Sequence, residues 1–304
     1  MKKTYLVSLF FLFLTLPGLA CDLCGCSNSG SFFGILPQGH RGFAGVRYRH
    51  ASFNSHMTSV NLKSHELFRT AELWGRFYPI KRVQVLAFVP YQFSQQTLLK
   101  SGTVTPLQGL SDVSALVQYN LLNTFMDDSV VHKVNHNLLV GGGVKLPTGR
   151  YKYDENSLTD VANPNFQLGT GSTDWMVNAI YTARYNNWGA NADVSYRITT
   201  TNSNGYRFGN RLTTSASVFY LTGSGKYSLM PNAGVFVEQG GYDRRDGVVN
   251  KQTGGYATYL NLGTEAYLGK VSLGVSYRHP ISQNLSAGEL LADDQLNTHI
   301  TFMF

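Results

Sequence analysis

The last twelve residues alternate between apolar and polar side chains with a period of two. Because successive residues of a β-strand point to opposite faces, this pattern predicts a strand with one apolar face and one polar face. The apolar face carries Leu296, Thr298, Ile300, Phe302 and Phe304, and the polar face carries Gln295, Asn297, His299, Thr301 and Met303. This strand constrains the fold because the same pattern recurs along the chain.

About twelve such segments lie between Gly42 and Phe304. Before the terminal strand, the pattern predicts strands at Gly42–Phe53, Leu67–Tyr78, Val83–Ser94, Leu110–Leu122, Asn137–Leu146, Trp175–Tyr185, Trp188–Ile198, Leu212–Tyr220, Leu229–Val237, Tyr256–Leu268 and Val271–His279. The composition suits many strands, tight turns and aromatic belts, with 18 Tyr, 18 Phe, 31 Gly and 14% charged residues. Pro90 and Pro231 each remove a ladder donor, so bulges or rim positions are expected there.

The connections between these segments alternate in length. Short turns are expected at Pro79–Arg82, Asn186–Asn187, Thr222–Lys226 and Gly269–Lys270, whereas longer loops are expected at 54–64, 94–109, 148–171, 200–207, 240–255 and 280–294. The connection 123–135 is the exception, since it is long where a short turn is expected. Membrane barrels have short turns at one end and longer loops at the other.

The sequence therefore predicts an all-β fold, a transmembrane antiparallel up-and-down β-barrel of about 12 strands spanning residues 42–304. A lipid-facing sheet must close, because unpaired backbone groups are costly in hydrocarbon. A soluble β-sandwich is the alternative, but it has no reason to alternate its loop lengths. An even strand number places both termini on the periplasmic side of a Gram-negative outer membrane. A chain that ends on an aromatic strand also resembles bacterial outer-membrane barrels, which implies membrane lipid and the barrel assembly machinery as partners.

The amino terminus predicts export. Met1-Lys2-Lys3 is basic, Leu6–Leu16 is apolar and Gly18-Leu19-Ala20 has small residues, so residues 1–20 are expected to be a cleaved signal peptide, with a retained anchor helix as the alternative. The mature chain then begins at Cys21, and residues 21–41 form a periplasmic segment or a plug, for which Ser31–Pro37 is the candidate. Lipidation of Cys21 is a further alternative, although Gly18 stands where Leu is usual.

The three cysteines, Cys21, Cys24 and Cys26, lie together behind the predicted cleavage site. Their thiolates could hold Cu or Zn, and no other cofactor is expected. One local disulfide with a spare thiol is the alternative in an oxidising compartment. No histidine follows Cys24 directly, which excludes a c-type haem site.

The predicted inner face carries a mixed and mildly cationic set of charges. The basic residues are Arg47, Arg49, Arg76, Lys145, Arg184, Arg197, Arg211 and Arg278, and the acidic residues are Glu72, Asp112, Asp193, Glu238 and Glu265. They could attract anionic solutes along a passage, or they could pair across strands and brace the barrel.

The same face carries many apolar and aromatic residues. These are Trp74, Tyr78, Leu86, Phe88, Leu116, Met176, Ile180, Phe219, Met230, Phe236, Tyr259 and Tyr267. A wide water-filled pore would carry fewer, so a narrow, partly apolar passage is expected. The predicted solute is small and amphipathic or aromatic, unless these rings pack against a plug.

Two glycine-rich segments carry a family resemblance. Gly141–Gly149, with the sequence GGGVKLPTG, and Gln167–Asp174, with the sequence QLGTGSTD, resemble the outer-membrane transporters named for the meta-pathway of phenol degradation, and Val89-Pro90-Tyr91 is also similar. The resemblance covers most of the barrel and implies transport of small organic molecules. The cysteine-rich start followed by Phe33–Pro37 departs from the general pattern and resembles a Bacteroidetes-type subgroup.

Two functions from other classes stay open beside transport. An outer-membrane lipid hydrolase needs Ser, His and an acidic or amide partner at one rim, but Ser276 and His279 are predicted to lie on opposite faces of one strand. A metal-handling assembly component would use the cysteine cluster. Nucleic-acid binding is not predicted, because the pI near 9.2 comes from scattered residues without a basic run.

Overall fold

A computed structural model describes residues 42–59, 61–126, 132–152, 165–224 and 226–304. The predicted signal peptide, the segment 21–41 and the three cysteines lie outside the described residues. The strands are β1 (Phe43–Ser55), β2 (Ser64–Ile80), β3 (Val83–Leu98), β4 (Val104–Leu110), β5 (Ser114–Asn123), β6 (Asn135–Lys145), β7 (Asp174–Tyr185), β8 (Trp188–Ile198), β9 (Tyr206–Arg207), β10 (Arg211–Tyr220), β11 (Thr222–Ser224), β12 (Tyr227–Gly240), β13 (Asp243–Arg245), β14 (Val248–Asn250), β15 (Gly255–Leu268), β16 (Val271–Leu285) and β17 (Leu290–Met303). Two short 3-10 turns lie at Thr124–Met126 and Ser286–Gly288.

Twelve long strands close into an antiparallel barrel. Their order around the wall is β1, β2, β3, β5, β6, β7, β8, β10, β12, β15, β16 and β17. β17 then pairs with β1 from Phe43 opposite Met303 to Ser55 opposite Leu290. The seam leaves no open edge in the wall, as a lipid-facing sheet requires. The predicted fold class and strand number are confirmed.

The side chains sort onto the two faces as the alternation predicts. On the terminal strand Ile300 and Phe302 are each 51% exposed on the outer wall, whereas Thr301 and Gln295 are buried inside. Aromatic side chains mark both rims of the outer wall: Tyr119, Tyr185 and Trp188 near the short turns, and Tyr91, Trp175 and Tyr196 near the long loops. The end of the barrel that carries the short turns and Phe304 is called the turn end. The opposite end is called the loop end.

Several predicted loops prove to be extensions of the strands. The segment 94–109 was expected to be a long polar loop, but β3 continues to Leu98 and pairs with β4, so a β-hairpin projects at the loop end. The fourth predicted strand, Leu110–Leu122, is divided into β4 and β5. At the break, the Thr148 hydroxyl takes the place of a backbone hydrogen-bond partner. It donates to the Ser111 carbonyl (2.8 Å) and accepts from the Val113 amide (2.9 Å).

Two further predicted loops also contain strands. The loops 200–207 and 240–255 form a three-stranded sheet of β9, β13 and β14, called the rim sheet below. In the loop 280–294, β16 and β17 approach each other again at Leu285 and Leu290. Polar strands above a membrane lack the contrast between lipid and lumen, so their alternation is weak in the sequence.

The two prolines occupy breaks in the ladder, as expected. Pro90 lies where the partner of β3 changes from β5 to β4, and its carbonyl accepts from the Ser111 amide at 2.9 Å. Pro231 lies where the partner of β12 changes from β11 to β10. At such a break the strand lacks a ladder hydrogen bond in any case, so a proline, which has no N–H, does not weaken the sheet there. Among the described residues, no helix is long and apolar enough to cross a bilayer.

Candidate functional site

The lumen is filled at the turn end by an apolar cluster. It consists of Phe43, Trp74, Leu86, Phe88, Leu116, Leu139, Met176, Ile180 and Met303, with Tyr267 packed against it. Phe43 and Trp74 meet edge to face at 4.6 Å between ring centroids. Inward-facing positions of seven neighbouring strands, β17 through β7, supply this cluster, so the alternation along one side of the barrel builds it.

A second apolar cluster lies towards the loop end. It consists of Ala51, Phe53, Phe68, Phe166, Phe236, Ala257, Tyr259, Leu285, Leu290 and Ala292. Phe166 is the one member that no barrel strand carries; it lies on the loop between β6 and β7 and is fully buried, 5.5 Å from Phe68 between ring centroids. The Phe166 side chain therefore lies in the lumen, on its loop-end side.

Between the two clusters runs a belt of charged side chains. Arg47 and Arg49 both bind the Glu72 carboxylate, the latter at 3.2 Å. The Arg47 guanidinium also lies over the rings of Trp74 at 5.0 Å and Phe88 at 5.6 Å. Charge pairing and cation–π contact together offset the cost of holding these arginines away from bulk water.

On β16, two strands from Arg47, Arg278 connects the charges to the apolar cluster towards the loop end. Its guanidinium lies 3.9 Å from the centre of the Phe236 ring. Its Nε donates to Asn261 Oδ1 at 3.4 Å. Gln295 Nε2 in turn donates to the Tyr259 hydroxyl at 3.1 Å. Further along the belt, His299 Nε2 lies 3.0 Å from Glu265 Oε1, and its ring meets that of Trp74 edge to face.

This belt surrounds a cavity of about 110 Å³. Its walls combine the charged groups Arg47, Arg49, Glu238, Glu265 and Arg278 with the rings of Phe68, Trp74 and Phe236. Several buried polar atoms of the lining have no hydrogen-bond partner among the described residues, including Trp74 Nε1, Gln92 Nε2, Thr213 Oγ1, Thr264 Oγ1 and Asn297 Nδ2. Buried polar groups are normally satisfied, so the cavity is suited to a polar or amphipathic guest or to water.

The glycine-rich motifs form a buried latch for the loop that carries Phe166. Lys145 Nζ lies 2.7 Å from Asp112 and 3.0 Å from Asp174, and it also donates to the Thr170 hydroxyl. Asp112 accepts in addition from the backbone amides of Gly149 at 3.0 Å and Thr170 at 2.9 Å. The latch holds both ends of the loop on the strand ends of β5, β6 and β7.

The glycines of these motifs serve backbone contact and not a solute. Gly149 and Gly169 lie against each other, because an added Cβ on Gly149 would be 2.9 Å from the Gly169 Cα. Gly141 and Gly143 of the same motifs lie on the inner face, where the space of a missing side chain could hold a solute or the loop. Their nearest neighbours are instead atoms of the adjacent strand β5, 2.1 Å and 2.3 Å from an added Cβ.

The structure brings the predicted lumen residues onto the inner face. Those less than 9% exposed are Arg47, Glu72, Trp74, Arg76, Phe88, Asp112, Lys145, Asp193, Arg197, Arg211, Phe236, Glu238, Tyr259, Glu265 and Arg278. Arg49 is partly buried in the belt, and Arg184 lies at the turn end, where its Nε donates to the Asn186 carbonyl. Asp112 and Lys145 belong to the latch and not to the cavity lining.

Sequence reasoning missed two buried carboxylates of the barrel wall and several buried rings, among them Phe43, Phe53, Phe68 and Phe166. Glu66 and Asp174 are buried, and each lies one residue before the predicted start of its strand. Extending the alternation by one residue identifies both. With them, the inner face carries seven acidic against eight basic residues, so it is nearly balanced rather than cationic. Phe166 lies in a loop, where no periodic pattern marks it.

The serine and histidine considered for a lipid hydrolase do not meet. Ser276 faces inward, whereas His279 is exposed on the outer wall and binds Asp294 at 2.7 Å, so the predicted opposition of the pair is observed. In the described ranges no three His, Cys, Asp or Glu side chains are placed to hold a metal ion. The cysteine cluster lies outside these ranges, and its metal or disulfide chemistry stays a prediction.

Known structures resemble this architecture. An outer membrane channel from Pseudomonas putida F1 matches with a TM-score of 0.62 at 16% identity, over 91% of this chain and 99% of that chain. The fold is that of an outer-membrane β-barrel. The β domain of the Bordetella autotransporter BrkA matches this barrel with a TM-score of 0.52 at 12% identity, over 87% of this chain and all of that one. The transport unit of the Escherichia coli autotransporter AIDA-I matches the barrel with a TM-score of 0.50 at 10% identity, over 91% and 94%. No family profile and no curated protein match the sequence.

Proposed function

We propose that this barrel is a gated outer-membrane channel that passes small amphipathic or aromatic solutes. The observation that carries the proposal is the cavity in the charged belt, where arginine and carboxylate groups lie beside the faces of Trp74 and Phe236. Ligand sites typically combine apolar walls with a few placed polar groups. A solute with one ring and one polar group matches both kinds of wall.

The size of the cavity supports a small solute. At about 110 Å³ it is smaller than the roughly 150 Å³ of an engineered apolar cavity that binds benzene, so a single ring enters only when side chains of the lining move. The nearly balanced charge of the inner face favours solutes of either sign over strong anion selection. Small size and amphipathic character are therefore the selecting features.

The channel is closed in this conformation. The apolar cluster at the turn end and the cluster around Phe166 bound the cavity on its two sides. Passage from the loop end requires the Phe166 side chain to leave Phe68, while the latch around Lys145 holds the nearby Thr170. Passage at the turn end requires side-chain rearrangement around Trp74 and Phe88. The gate thus consists of side chains of this barrel.

The membrane and its orientation belong to the same proposal. The apolar outer wall and its two aromatic rims fit a bilayer. The short connections at the turn end match the periplasmic side of such barrels, with the loop end outside. Membrane lipid and the barrel assembly machinery are then the partners, and the channel needs no cofactor or catalytic group.

Liposome swelling tests the function. Proteoliposomes are diluted into isosmotic solutions of benzoate, phenol, glucose and a trisaccharide. The proposal expects swelling for the two small aromatic solutes and little or none for the trisaccharide. Phe166→Ala, which lacks the ring packed on Phe68, is expected to speed the swelling, and Phe208→Ala, a buried ring of the rim, is expected to leave it unchanged. Equal rates with empty liposomes for every solute contradict the proposal.

The metal-handling alternative makes a different prediction. If the cysteine cluster is the functional centre, Cys21, Cys24 and Cys26 bind Cu(I) or Zn²⁺ and their replacement by serine abolishes function. Solute flux through the barrel is expected to be unchanged in that triple variant under the channel proposal. Measuring both properties on one preparation separates the two functions.

A further inference from the structure

The rim sheet forms a recess on the outer wall that the channel function does not use. The recess has a volume of about 420 Å³ and lies at the loop end, between the barrel wall and the rim sheet. The wall contributes Tyr196, Leu212 and Gln239, which are lateral neighbours on β8, β10 and β12. The rim sheet contributes Arg207, Arg244 and Val249. The recess therefore joins an apolar, lipid-facing surface to two cationic side chains.

The two arginines are held side by side. Arg207 of β9 pairs directly with Arg244 of β13 in the antiparallel register. Like charges at directly opposite positions of a sheet destabilise it. Among the described residues neither guanidinium has an ion-pair partner within 4.0 Å, and Arg244 is exposed. The two positive charges repel each other when no anion is bound, and an anion bound between them removes this repulsion.

The nearby carboxylates are occupied elsewhere. Asp243 is buried on the other face of the rim sheet, where it accepts from the Tyr206 hydroxyl at 2.5 Å and the Gly209 amide at 2.7 Å. Asp246 lies 4.0 Å from Arg245. An anion between Arg207 and Arg244 must therefore come from outside the described chain. Two guanidinium groups offer several donors in a geometry that suits phosphate oxygens.

The position of the recess indicates the source of that anion. Tyr196 is 38% exposed on the outer wall and belongs to the loop-end aromatic rim, and Asn210 Nδ2 donates to its hydroxyl at 3.1 Å. Aromatic rims lie at the level of the lipid headgroups. Below Tyr196 the wall continues with Val194, which is 41% exposed, and it can contact acyl chains. The recess thus lies at headgroup level with an apolar surface beneath it.

We infer that Arg207 and Arg244 bind a phosphate of a phosphorylated glycolipid in the outer leaflet, whose acyl chains lie along Tyr196 and Leu212. The assignment of the leaflet rests on the proposed function, which places the loop end outside. A free phosphate shares the ionic contact but gains nothing from the apolar wall. A glycolipid with several acyl chains gains from both, and its sugar can contact Gln239 and Asn210.

The test measures lipid binding to the full-length barrel in detergent micelles. Native mass spectrometry and thermal shift are recorded with bisphosphorylated lipid A, dephosphorylated lipid A, phosphatidylglycerol and inorganic phosphate. The charge variant is Arg207→Gln with Arg244→Gln, and the matched control is Lys81→Gln with Arg82→Gln in the exposed turn at the other end. Heat-modifiable gel migration establishes that each variant is folded.

The expected result is tight binding of bisphosphorylated lipid A by the native protein and the turn variant, and affinity reduced by about ten-fold or more in the rim variant. Equal affinity in the rim variant overturns the site. Dephosphorylated lipid A, phosphatidylglycerol or inorganic phosphate binding as tightly as bisphosphorylated lipid A overturns the glycolipid assignment. Solute flux is measured on the same proteins: lipid binding without flux refutes the channel proposal alone, and flux without lipid binding refutes this one alone.

Discussion

The ammonium group of Lys145 lies 2.7 Å from the carboxylate of Asp112, and both side chains are fully enclosed at the loop end of the barrel. The pair is more than a brace between two strands, because Asp112 also binds the amides of Gly149 and Thr170 at the two ends of the long loop. Removing one partner leaves a buried charge without compensation. The position of the loop over the lumen therefore depends on this pair.

The first prediction concerns the stability of the latch. Lys145→Met is expected to reduce the free energy of unfolding by about 3–5 kcal/mol, because it leaves Asp112 and Asp174 buried without their cation. Urea titration of the barrel in lipid vesicles measures this. Lys152→Met, an exposed position of the same loop, is expected to change the value by less than about 0.5 kcal/mol. Equal effects of the two substitutions would show that the latch does not hold the loop.

The second prediction concerns the charges of the belt. Arg278→Gln removes a cation from the cavity wall, whereas Glu238→Gln removes an anion, and both side chains are buried in the lining. The anion-to-cation permeability ratio is expected to fall in the first variant and to rise in the second, each on the order of two-fold. Reversal potentials in a salt gradient measure the ratio. A shift in the same direction for both variants contradicts the assigned lining.

The third prediction concerns the rim sheet and pH. Burial raises the pKa of Asp243 from its ordinary value of 3.8, although hydrogen bonds from Tyr206 and Gly209 oppose the shift. A carboxyl with a raised pKa in the folded state contributes stability that is present below pH 3.8 and is lost as the pH rises through the folded pKa. The rim sheet should accordingly open more readily as the pH rises above this range.

Hydrogen exchange of the Gly209 amide, which donates to Asp243, reports this opening. Protection, corrected for the intrinsic rate, is expected to fall with rising pH in the native protein. Asp243→Asn keeps one oxygen that can accept from the Gly209 amide, and its NH2 group can donate to the Tyr206 hydroxyl oxygen. Because this side chain does not ionise, its protection should be nearly independent of pH. The same pH dependence in both proteins would refute the role of the Asp243 charge.

The sequence predicts the wall of this barrel well because two different solvents lie on its two sides. Leu73 and Glu72 are neighbours, yet the first is 60% exposed on the outer wall and the second is buried in the lumen. Because of this contrast, apolar and polar residues alternate with a period of two in every strand that crosses the bilayer. Beyond the bilayer the contrast ends, and for this reason β4, β13 and β14 were predicted as loops.

The centre of the site was less predictable, because its contacts are distant in sequence. Asp112 and Thr170 are separated by 58 positions, and nothing local to either residue indicates that they meet. Phe166 has no periodic neighbours and reaches Phe68 only through the fold of its loop. The alternation identified the inward residues, but it could not show that a loop ring packs on Phe68, which lines the cavity.

Phe166 therefore supplies the most direct test. Single-channel conductance is recorded in a planar bilayer for the native protein, for Phe166→Ala and for Phe208→Ala. Phe208 is a matched control, since it is equally enclosed but packs in the rim with Tyr151 and Tyr206, away from the cavity. The predicted result is rare, small openings for the native protein and Phe208→Ala, and frequent, larger openings for Phe166→Ala. No discrete conductance from any of the three proteins, correctly folded, would contradict the account of a gated channel.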